Sequence, residues 1–590
     1  MRLLSLAAVL MTALLLPACG GSNNNPSAPD NGSDNPSDVS AAENRRVEIP
    51  SPVEGSIVFQ LFTPERMEPG MRYPLVLHSH GFGGSRQTES TGLIGSLVNN
   101  GYYVISIDQR GFGESTGPVR VMDPDAEGRD LVAILDWAET ALPQLQRDAS
   151  GTMMVGAYGS SYGGGYQLLL QAVDPKARLR ALVPDITWHD LTESLNPGDA
   201  IKSGWALVLV AGGESGSQGD LDNVIRETLL RGLTTNRFPE PGLDFFRYHS
   251  PRYFCDGEAI PEIAFAQGTE VPMTPPSTPP AADILLWQGF PDTLFNVTEA
   301  FDNLRCLRAR GGDVRLLTHQ SGHILPLSVE TLSADLDSAL AALSGAVVVP
   351  EFQGPGGQNA CGSIDRDTAT LAWFEAKLKG RDAALEEALP TGDAICLSLA
   401  EGDAVAVSDI PEGGSDFPVE ASTPAVSGLI GVATSALGPD LPGGIQAIPL
   451  QTIGEDGAVL AGQPTMQLTL SPVNEALAQA ECLSAFLPLA CDPIIYVGVG
   501  YQRDGQWQLI DDQLKPLRGY GAHGTPQAPE RLVAVAERLQ PGDTLGLLVY
   551  GFHPQYLGTF SRDILVPALT LSGRVQLPLL SAQDIVAEGF

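Results

Sequence analysis

Gly159-Ser160-Ser161-Tyr162-Gly163 fits the pattern G-x-S-x-G with Ser161 at its centre. The pattern marks a sharp strand-to-helix turn that lifts a serine Oγ to the top of a parallel sheet. Such a turn is strained, and a Cβ at either glycine would meet the neighbouring strand or helix. Glycine and serine are common in this chain, so the motif needs its flanks. Residues 152–158 read as a short buried strand, and residues 164–172 read as a helix packed closely at its glycine-rich start. Strand, turn and helix together make Ser161 the candidate nucleophile.

Bulk properties bound what surrounds this turn. A chain of 590 residues is too long for one core, and two folded domains are expected. With 43% hydrophobic and 18% charged residues it has a globular composition. The net charge of −36 repels nucleic-acid phosphates and anionic lipid surfaces, which excludes a nucleic-acid role. No C-x-x-C or H-E-x-x-H occurs, so neither a metal site nor a cofactor is expected.

The N-terminus predicts export. Arg2 precedes an apolar run at 3–16, too short to span a membrane, followed by Leu16-Pro17-Ala18-Cys19. Residues 1–18 read as a signal peptide. Cys19 resembles the lipidated cysteine of a bacterial lipobox, which implies an anchor in the cell envelope. Ordinary cleavage near Ala18 would instead give a periplasmic or secreted protein. Residues 19–43 are Gly, Ser, Asn, Pro and Asp with little apolar content, the composition of a flexible tether. Seven cysteines less Cys19 leave six, an even number suited to an oxidising compartment. The pairs nearest in sequence are Cys255 with Cys306, Cys361 with Cys396, and Cys482 with Cys491, among 15 possible connectivities.

A catalytic domain is expected over residues 44–185 and 283–385, where strand and helix patterns alternate, as in a parallel sheet with helices on both faces. Its strand at 73–79 runs into His80-Gly81-Phe82-Gly83-Gly84. This matches the oxyanion loop after the third strand of α/β-hydrolases, and the backbone N–H groups of Phe82 and Tyr162 would converge on a developing oxyanion. His78 and His80 precede the nucleophile and read as structural. Asp108 to Ser115 form a rim loop to which no catalytic role is assigned. After a strand at 179–184 the rhythm stops, and residues 186–282 read as a cap over the sheet. Its Trp188, Trp205, Phe245, Phe246 and Tyr248 line a pocket or form the cap's own core.

The rhythm resumes with a strand at 284–288 that leads to Asp292, placed to orient a histidine or, alternatively, to cap the helix that follows. A strand at 314–319 then leads to His323 in the next loop. His323 is the candidate base, and His319, still within the strand, is its rival. Ser161, Asp292 and His323 stand in the α/β-hydrolase order. From 389 to 590, short strands between Gly, Pro and Asp turns predict a β-sandwich of jelly-roll type, in which His523 and His553 have no evident partners.

The elbow, the rim loop, the cap, the Asp292 and His323 stations and the Ala372-Trp373-Phe374 helix before a β-sandwich resemble the Xaa-Pro dipeptidyl-peptidase and cocaine-esterase-like branch of the α/β-hydrolases. The resemblance implies hydrolysis of an ester or amide through an acyl-enzyme. That family is known for a tyrosine side chain in the oxyanion hole. Phe82 offers only its backbone here, which favours an esterase. An Xaa-Pro dipeptidyl-peptidase is the alternative, and it would need carboxylates such as Glu193, Asp199 or Glu214 for a substrate amine. A catalytically inactive surface-binding lipoprotein is the alternative of another class.

Overall fold

The computed structural model describes residues 43–260, 274–325, 359–423, 445–473, 493–559 and 569–590. Its centre is an 11-stranded sheet. Strands β1 (Asn44–Pro50), β2 (Ser56–Phe62), β3 (Leu75–Ser79), β4 (Tyr103–Ile107), β5 (Val155–Ser160), β6 (Leu179–Asp185), β7 (Asp283–Gly289) and β8 (Val314–His319) lie in the order β1-β2-β4-β3-β5-β6-β7-β8. From β4 to β8 every pairing is parallel. Alternate residues of these strands feed two cores. Leu77, Ile105 and Leu182 face one side, and Val76, Val104 and Ala181 face the other. The helix Arg366–Lys379 covers the second side with Trp373 and Phe374. A sheet buried on both faces needs strands that are apolar throughout, which is why these strands read as unbroken apolar runs.

The sheet does not stop at residue 389. Ile395–Ala400 pairs parallel with β8, and Asp403–Val407 and Ile585–Glu588 extend the edge beyond it. The expected sandwich region thus contributes three strands to the catalytic sheet. A short apolar strand reads the same in either setting, so its partner is not visible in the sequence. Beyond Ser415, two five-stranded antiparallel sheets face each other across a shared core that includes Val419, Leu468, Leu571, Val497 and Leu547.

The cap residues described are mainly helical: Ser203–Gly216, Asn223–Thr235, Glu240–Tyr248 and Pro251–Asp256. Cys255 pairs with Cys306 across the cap boundary, and Cys361 pairs with Cys396, the Cα atoms 5.9 Å and 6.3 Å apart. Cys19, Cys482 and Cys491 lie outside the described residues. The β-domain packs on both other parts. Arg518 donates to the Asp199 carbonyl of the cap (2.6 Å), and Arg531 pairs with Asp302 (2.7 Å) on the helix Val297–Arg310.

Candidate active site

Strand β5 ends at Ser160, and Ser161 takes φ 59° and ψ −120° before the helix Tyr162–Val173 begins. A serine held there costs about 1–3 kcal/mol, which the packing around it must over-determine. The flanking glycines make the turn possible. A Cβ on Gly163 would lie 2.4 Å from the Ser79 carbonyl oxygen, and one on Gly159 would lie 2.7 Å from that of Gly163.

Ser161 Oγ lies 2.8 Å from His323 Nε2, and His323 Nδ1 lies 2.6 Å from Asp292 Oδ2. A carboxylate only accepts, so Nδ1 carries the proton and Nε2 turns its lone pair to the serine hydroxyl. All three groups are buried. Asp292 accepts three further bonds, from the N–H groups of His323 (3.0 Å), Leu294 (2.9 Å) and Phe295 (2.7 Å). Its lone pairs are thereby filled, which holds the carboxylate in one orientation. Asn296, not Asp292, caps the following helix, by accepting from the Thr298 N–H. The structure brings Ser161, Asp292 and His323 into one string.

His319 takes no part in that string. It ends β8 and bonds to Asp185. His78 pairs with Ser106 (2.9 Å), and burial, then neighbouring His80, pushes its pKa down to about 3. His80 donates from Nδ1 to the Gly81 carbonyl (2.7 Å) and accepts at Nε2 from the Gln109 N–H (3.1 Å). In the rim loop, Asp108 anchors Arg86 and Arg110 bonds Asp130 at 2.9 Å. His523 and His553 do have partners: His523 lies 3.7 Å from Glu530, and His553 lies 3.2 Å from Asp512.

Beside Ser161 opens an apolar cavity. Phe82 and Tyr162 border it, their ring centroids 5.3 Å apart. The loop of Phe82 runs against the nucleophile, since a Cβ on Gly81 would come within 4.0 Å of Ser161 Cβ. The cap supplies most of the remaining lining, including Leu191, Leu195, Leu229, Phe238 and Phe246. Among the described residues no charged side chain lines this cavity. The polar ends of its two amphipathic rings are engaged elsewhere. Tyr162 Oη accepts from the Met122 N–H (3.3 Å), and Trp188 Nε1 donates to the His249 carbonyl (3.2 Å).

Of the cap aromatics, Trp188 and Phe246 line the cavity. Trp205 stands edge-on to the His323 ring at 6.0 Å, while Phe245 and Tyr248 pack against His249 within the cap. The three carboxylates that a substrate amine would need are elsewhere. Glu214 is paired with Arg226, Asp199 lies 4.0 Å from Arg237, and Glu193 lines a separate charged cavity with Arg252 and Arg531.

Residues 56–325 match the family model described as X-Pro dipeptidyl-peptidase (S15 family). This region is similar to that family. Solved structures of similar fold carry the likeness over most of the chain. A CocE/NonD family hydrolase from Staphylococcus aureus superimposes with a TM-score of 0.54 at 12% identity, covering 90% of this chain and 93% of that one. An α-amino acid ester hydrolase gives 0.52 at 13% identity, covering 94% and 100%. An uncharacterized 31.7 kDa protein of Escherichia coli is 28% identical over 123 residues, 21% of this chain and 40% of its own length. This chain thus spans about two fifths of that curated relative.

Sequence reading missed the groups that hold this site in place. Lys202, before the cap helix Ser203–Gly216, donates to the carbonyls of Thr293 (2.8 Å) and Leu294 (3.2 Å) in the Asp292 loop. Burial pushes its pKa down to about 8. Gln513, from the β-domain, donates to the carbonyls of Phe290 (2.8 Å) and Asp292 (2.9 Å). Asp185 ends β6 one residue beyond the expected strand, at the sheet edge where ligands and site residues gather. Its position there was the one legible signal. Nothing in the sequence around Lys202 or Gln513 marks either.

Proposed function

We propose that this protein hydrolyses carboxylic esters with a neutral, apolar acyl group, through an acyl-enzyme on Ser161. His323 takes the hydroxyl proton as Ser161 attacks the carbonyl, and Asp292 stabilises the imidazolium that forms. The backbone N–H groups of Phe82 and Tyr162 hold the oxyanion, each donor worth about 3 kcal/mol in the transition state. His323 returns the proton to the leaving alcohol, and water then repeats the sequence on the acyl-enzyme.

The observation that carries the ester reading is the cavity beside Ser161, which is lined by apolar side chains and by no described charge. Burying an unpaired substrate ammonium there would cost several kcal/mol. The reading also includes a lipid anchor on Cys19 and export, and the two cystines support export, because such bonds persist in oxidising compartments.

The test compares the purified full chain with Ser161→Ala on a p-nitrophenyl butyrate and an Ala-Pro anilide. Ester turnover that the substitution reduces by about 10⁶-fold is expected. Faster turnover of the anilide would move the protein to the dipeptidyl-peptidase side.

A further inference from the structure

A second hydrogen-bonded string of the same composition lies beneath the first. Asp185 Oδ1 accepts from His319 Nε2 (2.9 Å), and Oδ2 accepts from Ser160 Oγ (2.9 Å) and from Arg366 (2.7 Å). The Asp185 carbonyl accepts the N–H of Ser161 (2.9 Å). On the other side of the ring, His319 Nδ1 accepts the N–H of Ser321 (3.2 Å) and faces Ser321 Oγ at 3.0 Å. Ser321 also meets Asn359.

The ends of this string are what give it a purpose. One end grips Ser160 and Ser161, the elbow itself. The other grips Ser321, two residues before His323. Gly322 lies between them with φ 148°, and a Cβ there would come within 2.6 Å of Asp292 Cβ. The base loop therefore has no slack toward Asp292, and the bond to His319 is one of its further anchors, beside those from Thr293 to the His323 carbonyl (3.0 Å and 3.1 Å) and from Ser321 to Asn359. Asp185, His319 and Ser321 are buried and Ser160 is half-buried.

We propose that Asp185 is a positioning residue that fixes the nucleophile elbow and the base loop relative to each other, so that Ser161 Oγ and His323 Nε2 stay in contact. The inference rests on the roles given above to Ser161 and His323. Asp185 does not line the apolar cavity, so its loss acts on the chemical step and not on ground-state binding. A displacement near 1 Å between reacting groups costs on the order of 10²-fold in rate.

The experiment titrates active sites of the full chain by labelling to completion with a fluorophosphonate and then measures kcat for p-nitrophenyl butyrate per labelled site. Asp185→Asn is expected to lower that kcat about 100-fold with KM within about twofold. Ser160→Ala and Ser321→Ala each remove one arm, and each is expected to lower it about tenfold. These two variants decide the matter should Asp185→Asn fail to fold. A merely structural Asp185 would reduce the number of titratable sites and leave kcat per site unchanged, and that result in the variants would overturn the proposal. Absence of fluorophosphonate labelling at Ser161 in an active wild-type protein would instead remove the acyl-enzyme reading, and this inference with it.

Discussion

The loop at the end of β8 carries two histidines four residues apart, and each lies between a serine and a buried aspartate: Ser161–His323–Asp292 and Ser321–His319–Asp185. Ring contacts of 2.6–3.0 Å occur in both. What differs is where the serine sits. Ser161 is on a strained turn at the mouth of an apolar cavity. Ser321 lies in a loop against Asn359 and lines none of the main cavities found. The aspartates differ too. Asp292 accepts N–H groups that orient it toward one ring, whereas Asp185 also carries the guanidinium of Arg366. The comparison teaches that the string alone makes no nucleophile. It becomes one where a reacting carbonyl can reach the serine and donors wait for the oxyanion.

The sharpest way to break the comparison is to remove one ring at a time. His323→Gln is expected to lower kcat by about 10⁴-fold or more, and His319→Gln by about tenfold, in steady-state ester hydrolysis. Equal losses would erase the distinction drawn here. A smaller effect is expected from outside the catalytic domain. Gln513→Leu leaves two buried carbonyls of the Asp292 loop without their donor, at a cost of about 1–3 kcal/mol, and should lower kcat a few-fold with little change in KM. An unchanged kcat would mean that the β-domain does not help hold the acid.

The smallest effect is the pH dependence that Asp185 confers. Burial alone would raise the Asp185 pKa, but His319, Arg366 and Ser160 outweigh it and hold the carboxyl below the usual range. Its contribution to stability is therefore present above about pH 4, where the unfolded carboxylate titrates, and is lost as pH falls through the lower folded value. Thermal melting of the wild type should then drop more steeply below pH 4 than that of Asp185→Asn. Parallel melting curves would contradict the shift.

Much of this arrangement is legible in the chain. Strands buried on both faces must be apolar throughout, so β3, β5, β7 and β8 announce themselves, and Ser161, Asp292 and His323 each follow the carboxyl end of one. The choice of His323 over His319 is legible too, because His319 still lies within β8, but the partner that His319 finds in Asp185 is not. Lys202 and Gln513 reach the Asp292 loop from far along the chain, and a lone lysine or glutamine carries no pattern. The strand at Ile395–Ala400 belongs to the catalytic sheet for a similar reason: its partner is set by packing and not by its own residues.

The most direct test of the central claim traps the acyl-enzyme. The full chain is mixed with p-nitrophenyl butyrate, quenched in acid within the burst, digested and mapped by mass spectrometry. The account predicts a butyryl group on Ser161 in the wild type, retained longer in His323→Gln if any forms, and absent from Ser161→Ala. Butyrylation of Ser321 or of another side chain, with Ser161 unmodified during turnover, would contradict it.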